Sequence, residues 1–406
     1  MDSIITSAAL ALARGDFFGA LNRVALREDA PALALRGIAM AQLGDLERAK
    51  LLLRKAARGF GTKEPVSKAR CIVAEMEIAL ALRDLDGSAD QLKFAQKILH
   101  AHDDFINAAY AQHLQTRLLL LFGKLDEAET LTNSLDVSLF SPAFNAAHQL
   151  VVAGIAIRRL QIGKTRAAIA RAQEAATRAQ IPSLFAEIHK ASQILEAPAA
   201  RVKSQQGEQL LLLEDVETLF ASNAIIVDAC RYVIRHQSTI ISLASRPVLF
   251  NLLLALGEAW PQDVSRDQLI KIAFRHKQVD ESLRARLRVE IGRLRAEIAA
   301  LADIKATPQG FALVPHTKQD VIVLNQPIAE KHPEIIAMLA DGEAWSSSAL
   351  ALVLGISQRT VQRALESLAS LGKVQSFGKG QARRWITSPL PGVTTILLLP
   401  GAFPGN

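Results

Sequence analysis

Four stretches of the chain share one design, and that design constrains the fold more than any other feature. They are ALARGDFFGALNRV from Ala11, MAQLGDLERAKLLLRKA from Met40, LLLFGKLDEAETL from Leu119 and RRLQIGKTRAAIARAQEA from Arg158. Each runs from an apolar helix end, through a glycine and one or two polar residues, into alanines at helical spacing. The turn glycines are read as Gly15, Gly44, Gly123 and Gly163, and a degenerate copy is expected around Gly87. Glycine ends a helix where a left-handed backbone angle is needed. Asp or Lys then starts the next helix. Ala20, Ala49, Ala128 and Ala167 are expected to be the small residues at which paired helices approach closely. One helical hairpin cannot bury its own apolar face, so neighbours stack into a curved array.

Composition points the same way. Half of the 406 residues are apolar and only 5% are aromatic. Alanine and leucine dominate, and both lose little entropy in a helix. The length suggests two to four domains. The net charge of +7 and a pI of about 9.5 suit an acidic partner such as nucleic acid or an anionic membrane, or simply a basic surface. The location of the charge has to decide.

Two cysteines, Cys71 and Cys230, lie far apart with no CxxC and no Cys/His cluster. Neither a zinc finger nor a disulfide framework is expected, and no metal or cofactor is assigned. Met1 to Leu12 lacks the pattern of a signal peptide, with Asp2 where basic residues belong. The apolar runs Leu118–Phe122 and Ile396–Pro400 are too short to span a bilayer. A cytoplasmic protein without a membrane partner is expected.

Residues 1–200 resemble tetratricopeptide repeats at the four stretches quoted, with uneven spacing and Leu, Val or Ala at the usual aromatic positions. The resemblance implies a concave groove for a peptide, a protein or a small effector. A dimerisation surface or a structural scaffold is the alternative. The GKT at Gly163 is not a phosphate-binding loop, because Arg158 stands where that loop needs glycine. His100, His102, His113 and His148 fall in repeat helices and are expected to be partly exposed.

LEAPAARVKSQQGEQ, Leu195 to Gln209, breaks the helical periodicity and reads as a boundary. Beyond it, SNAIIVDACRYVIRHQSTIISL reads as two or three short strands. Three helical patterns follow. SRPVLFNLLLALGEAW opens on a Ser cap and a first-turn proline. SRDQLIKIAF starts at Ser265. DESLRARLRVEIGRLRAEIAAL places Leu283, Leu287, Ile291, Leu294 and Ile298 on one face. Ile304 to Val314 reads as a hairpin with a Pro–Gln–Gly turn. Through LASRPVLFNLL, VSRDQLI, VEIGRLRAEI and TPQGFALV, residues 215–320 resemble the OmpR/PhoB-type winged helix. The resemblance implies that the last helix enters the major groove, carrying Arg284, Arg286, Arg288, Arg293 and Arg295. Arginine suits guanine edges and phosphates because its donors form a rigid fork. Glu281, Glu290 and Glu297 partly neutralise this helix, so an ordinary solvated face is the rival reading. The all-helical first half lacks the strand–helix alternation of a phosphoreceiver.

Residues 328–390 repeat the theme. HPEIIAMLADGEAW, SSSALALVLG and SQRTVQRALESLASLG read as three helices, the second capped at Ser346 or Ser347. Gly355 takes the turn, Ile356 is expected to plug the core, and Ser357 caps the third helix. Val361, Leu365, Leu368 and Leu371 are its expected buried stripe. GKVQSFGKGQARRWI reads as two short strands. LGISQRTVQRAL resembles the winged helix-turn-helix of MarR- and DeoR-like regulators, which implies that Ser357, Gln358, Arg359, Thr360, Gln362 and Arg363 face DNA. The hairpin adds Lys373, Lys379, Arg383 and Arg384 for phosphates. From Leu354 to Ile386 six basic residues stand against one acid, Glu366. Val393–Leu399 in residues 391–406 reads as a short strand that pairs with another part of the molecule or a second chain.

The fold expected is therefore mainly α, with a helical-repeat array followed by two α+β winged-helix domains. The function expected is a sequence-specific, duplex-DNA-binding transcription regulator, a homodimer whose repeats sense an effector or mediate assembly. The rival is a non-enzymatic scaffold whose winged helices dock proteins. No GxSxG, HExxH, complete phosphate loop or dinucleotide fingerprint appears, so no catalytic residue is assigned. Single-strand RNA binding is disfavoured for want of an aromatic stacking platform.

Overall fold

The computed structural model describes residues 2–82, 84, 88–180, 182–204, 207–274, 280–327, 332–339, 344–378, 380 and 383–387. It is mainly helical. Two compact units divide it, one within Met1–Ile194 and one within Leu195–Ser376, to which the strand Arg384–Thr387 also belongs.

The first unit is all helix: α1 (Ser3–Ala13), α2 (Phe17–Val24), α3 (Ala30–Gln42), α4 (Leu46–Phe60), α5 (Pro65–Leu82), α6 (Ser88–Ala101), α7 (Phe105–Leu121), α8 (Leu125–Asn133), α9 (Pro142–Arg158), α10 (Ile162–Ala179) and α11 (Pro182–Glu196). Consecutive helices pack in pairs, α1 on α2, α3 on α4, α5 on α6, α7 on α8 and α9 on α10. First helices of successive pairs also touch, α1 with α3, α3 with α5, α5 with α7 and α7 with α9. Each pair thus buries its apolar face against its neighbours, which extends the core along the stack.

One turn geometry recurs. Gly15, Gly44, Asp103, Gly123 and Leu160 all have positive φ. The next residue, Asp16, Asp45, Asp104, Lys124 or Gln161, caps the following helix with ψ between 64° and 74°. Its amide reaches back five residues, to the carbonyls of Ala11, Met40, Leu99, Leu119 and Ala156, at 2.9–3.0 Å. These bonds satisfy carbonyls that the ending helix leaves open. The side chains of Asp16, Asp45 and Asp104 accept the amide three residues on, closing the start of the next helix.

This register corrects the fourth repeat. Gly163 lies inside α10, and Leu160 makes the turn. Four residues beyond the cap stand Ala20, Ala49, Ala108, Ala128 and Thr165, all buried. Ala167 is exposed, and Thr165 and Ala168 take the contact expected of it. The glycine misplaced the register because the left-handed residue here is a leucine, a residue that disfavours that angle; its amide donates to the Ile157 carbonyl at 2.9 Å. Gly87 lies outside the described residues.

The second unit opens with strands where a linker was expected: β1 (Ala200–Ser204) and β2 (Gly207–Leu211) form a hairpin. Then come α12 (Leu213–Ala221), β3 (Ile225–Asp228), β4 (Val233–His236), β5 (Thr239–Ser242), α13 (Pro247–Ala259), β6 (Val264–Ser265), α14 (Arg266–Phe274), α15 (Glu281–Ile298), β7 (Ala302–Ala306), β8 (Gly310–Pro315) and β9 (Val321–Asn325). The six-stranded sheet has the order β2-β1-β9-β3-β4-β5, and a three-stranded sheet has the order β6-β8-β7. β9, which the sequence reading left outside residues 215–320, returns to pair parallel with β3 and antiparallel with β1. Ile225, Val227, Val321 and Val323 line one core with Phe250, Leu253 and Leu256 of α13. The cap of α13 is Arg246 without a side-chain bond, not a serine, and Pro247 occupies the first turn.

The chain ends in α16 (Pro333–Leu339), α17 (Ser347–Leu354), α18 (Gln358–Ser370), β10 (Val374–Phe377) and β11 (Arg384–Thr387). β10 and β11 pair, and Trp345 adds an antiparallel bridge to Trp385, amide to carbonyl at 2.9 and 2.7 Å. That bridge ties the hairpin to the start of α17. The expected strand at Val393–Leu399 lies outside the described residues.

Candidate nucleic-acid interface

α18 is placed by its two ends and one face. Ser346 accepts the Ala349 amide at 3.1 Å and starts α17. Gly355, with φ of +66°, ends it, and its amide donates to the Ala351 carbonyl. Ser357 accepts the Thr360 amide at 3.1 Å and starts α18. Val361, Ala364, Leu365 and Leu368 then bury against Ile335, Leu339, Leu350, Leu354, Val374 and Trp385. The expected stripe is corrected at its end: Leu371 is 56% exposed, because α18 stops at Ser370 and Leu371 has left the helical face. Ile356 is 38% exposed and does not plug the core. Leu354 and Val361 already fill the space on either side of the turn.

The outward face of α18 carries Gln358, Arg359, Thr360, Gln362 and Arg363, all exposed. Gln358 Nε2 donates to Ser347 Oγ at 3.2 Å, and Thr360 Oγ1 lies 2.8 Å from Ser357 Oγ. Among the described residues Arg359, Gln362 and Arg363 have no side-chain hydrogen bond or ion pair. Their donors point at solvent. On the hairpin side Lys373 and Arg383 are exposed and Arg384 is half-buried. The Arg383 guanidinium sits 4.4 Å from the Trp385 ring centre. Arg384 Nη1 donates to the Arg383 carbonyl at 3.1 Å. Lys379 lies outside the described residues.

The arginines of α15 are exposed too, but each is engaged within the chain. Arg284 pairs with Glu281 at 3.6 Å and Asp267 at 3.8 Å, Arg288 with Glu281 at 3.0 Å, and Arg293 with Glu290 at 3.1 Å. Arg286 lies over the Phe274 ring at 4.5 Å. Arg295 Nε donates to Asp303 at 3.0 Å and to the Ile304 carbonyl at 3.1 Å, fastening α15 to β7. Exposed ion pairs of this kind contribute about 0–1 kcal/mol, so Arg284, Arg288 and Arg293 are exchangeable for phosphate oxygens. Arg295 is a structural strut. Sequence reasoning missed Arg266, whose Nη1 and Nη2 donate to the carbonyls of Pro308 and Thr307 at 3.0 Å each. It holds the β7–β8 turn in place, and nothing in the local sequence marks it, since Asp263 and Asp267 flank it.

Among the described residues no helix is long and apolar enough to cross a membrane, and no group of three or more His, Cys, Asp or Glu is arranged to hold a metal ion. No family model, curated protein or solved structure matches the chain.

Proposed function

We propose that this chain is a sequence-specific, duplex-DNA-binding transcription regulator in which α18 is the principal reader. In this reading the first unit is a tetratricopeptide-like array that senses an effector or mediates assembly, and the second carries two winged helices. One observation carries it. The first two turns of α18 present Arg359, Gln362 and Arg363, which no described residue engages, on a helix rigidly fixed by two caps and a buried stripe. Such a face offers Arg to guanine and Gln to adenine, while Lys373 and Arg383 neutralise phosphates. The α15 face, with its arginines already paired, is the secondary contact. A homodimer doubles the short site that one reader covers.

The test is selection of duplexes from a random pool by the full-length protein, followed by a salt series on the recovered sequence. A defined motif, with affinity falling steeply as salt rises, supports the regulator. No retention at low salt sinks it and leaves a scaffold that docks proteins.

A further inference from the structure

The first unit buries an aromatic and imidazole cluster that packing alone does not explain. Tyr110 and His113 come from one face of α7, Phe144 and His148 from α9, and Phe140 from the connection before α9, where its amide donates to the Val137 carbonyl at 3.1 Å and ends the 3-10 turn Val137–Leu139. The histidines were expected to be partly exposed; His113 is 0% and His148 4% exposed. Neither ring nitrogen of His113, nor Nδ1 of His148, has a hydrogen-bond partner among the described residues. The Tyr110 hydroxyl, by contrast, donates to Glu77.

The rings surround one another. His113 meets Phe144 edge-on at 5.2 Å and lies 6.3 Å from His148, centre to centre. Phe140 stacks on Phe144 at 3.9 Å and meets His148 edge-on at 5.2 Å. Burial keeps both imidazoles neutral, His113 far below its ordinary range and His148 pushed down to about 4. A neutral imidazole presents one donor and one acceptor. Buried polar atoms in folded proteins are overwhelmingly partnered, and an open one marks a missing water, a ligand or a functional constraint. Here the open atoms belong to neighbouring rings with aromatic walls.

We propose that this cluster is the binding site of a small, flat, uncharged molecule that carries a hydroxyl or ring N–H, as phenols and azoles do. Its ring stacks against Phe144, and its polar edge meets His113 and His148. Phe140, which stacks on Phe144 from the short turn between α8 and α9 and not from either long helix, is the wall that gives way to the ligand. The inference rests on the sensing role proposed above and gives it a ligand class.

The experiment is a titration of the full-length protein with phenol and with benzimidazole, reading the imidazole nitrogen signals of His113 and His148 by NMR and the Tm in parallel. Toluene, which has the ring without the polar edge, is the control. Expected are saturable changes in the nitrogen signals of both histidines and a rise in Tm with at least one polar probe. His148→Leu should abolish the response, while toluene leaves the wild-type nitrogen signals in place. Unchanged signals with both polar probes, or an identical response to toluene, overturn the proposal. So do ring nitrogens already bonded to ordered water that neither probe displaces. These readouts need no DNA. Duplex binding retained with no probe response rejects the site alone, whereas loss of duplex binding rejects the regulator and leaves the titration to stand or fall on its own.

Discussion

Ser357 Oγ accepts the backbone amide of Thr360 at 3.1 Å and lies 2.8 Å from that residue's Oγ1. One hydroxyl thus closes the start of α18 and draws a second hydroxyl back toward the helix end. Ser357→Ala should cost about 1 kcal/mol, the usual loss for a capping hydroxyl. Chemical denaturation checks it, and Ser357→Asp should recover most of the loss. A midpoint unchanged by the alanine would mean that the hydrophobic stripe alone sets the helix start.

Arg359 and Arg363 are expected to act through DNA and not through the fold. The double alanine variant should keep the wild-type Tm and lose duplex affinity. For each of the two that contacts a phosphate, the slope of log affinity against log salt falls by about 0.9. For each that reads a base, about 1–3 kcal/mol of discrimination disappears at one position. Arg295→Ala should do the opposite. It removes bonds to Asp303 and the Ile304 carbonyl, so stability drops by roughly 1 kcal/mol while affinity per folded molecule holds.

Two glycines separate conformational from steric cost. A Cβ at Gly355 meets nothing within 4 Å, but φ there is +66°. Gly355→Ala should therefore cost about 1–2 kcal/mol, the left-handed penalty alone. A Cβ at Gly310 would fall 1.8 Å from the Val264 carbonyl oxygen, where β8 pairs with β6. Gly310→Ala cannot be absorbed without parting those strands. Loss of folded protein for Gly310→Ala beside a modest shift for Gly355→Ala is the expected outcome, read by circular dichroism melts.

The buried histidines predict a pH dependence. Both bind protons more weakly in the folded chain than the ordinary imidazole at 6.5. The unfolded chain therefore takes up protons first as pH falls below that value, and stability drops with it. The window runs from about 6.5 down to about 4 for His148, and extends lower for His113. The slope approaches 1.4 kcal/mol per pH unit for each histidine once the unfolded chain is protonated. Denaturation midpoints between pH 7.5 and 5 test this, with a His113→Leu, His148→Leu double variant expected to flatten the curve.

Local chemistry made the mainly helical character, three of the turns of the first unit and the caps of α17 and α18 legible in the sequence. Gly15, Gly44 and Gly123 stand where a left-handed angle is needed, and Asp16, Asp45, Ser346 and Ser357 stand where a helix start needs an acceptor. Those requirements are met within a few residues, so the residue type reports them. Leu160, by contrast, adopts the turn that Gly163 advertised, and the bond from the Gln161 amide back to the Ala156 carbonyl closes it, so the residue type alone does not report the position. The rest is decided at a distance. β9 slots between β1 and β3, residues some hundred positions away, and a strand's sequence does not name its partners. The arginines of α15 and α18 look alike as letters. Only the folded chain brings Asp267, Asp303 and Ile304 to the first set and leaves Arg359 and Arg363 facing solvent, because ion pairing depends on which elements tertiary packing sets side by side.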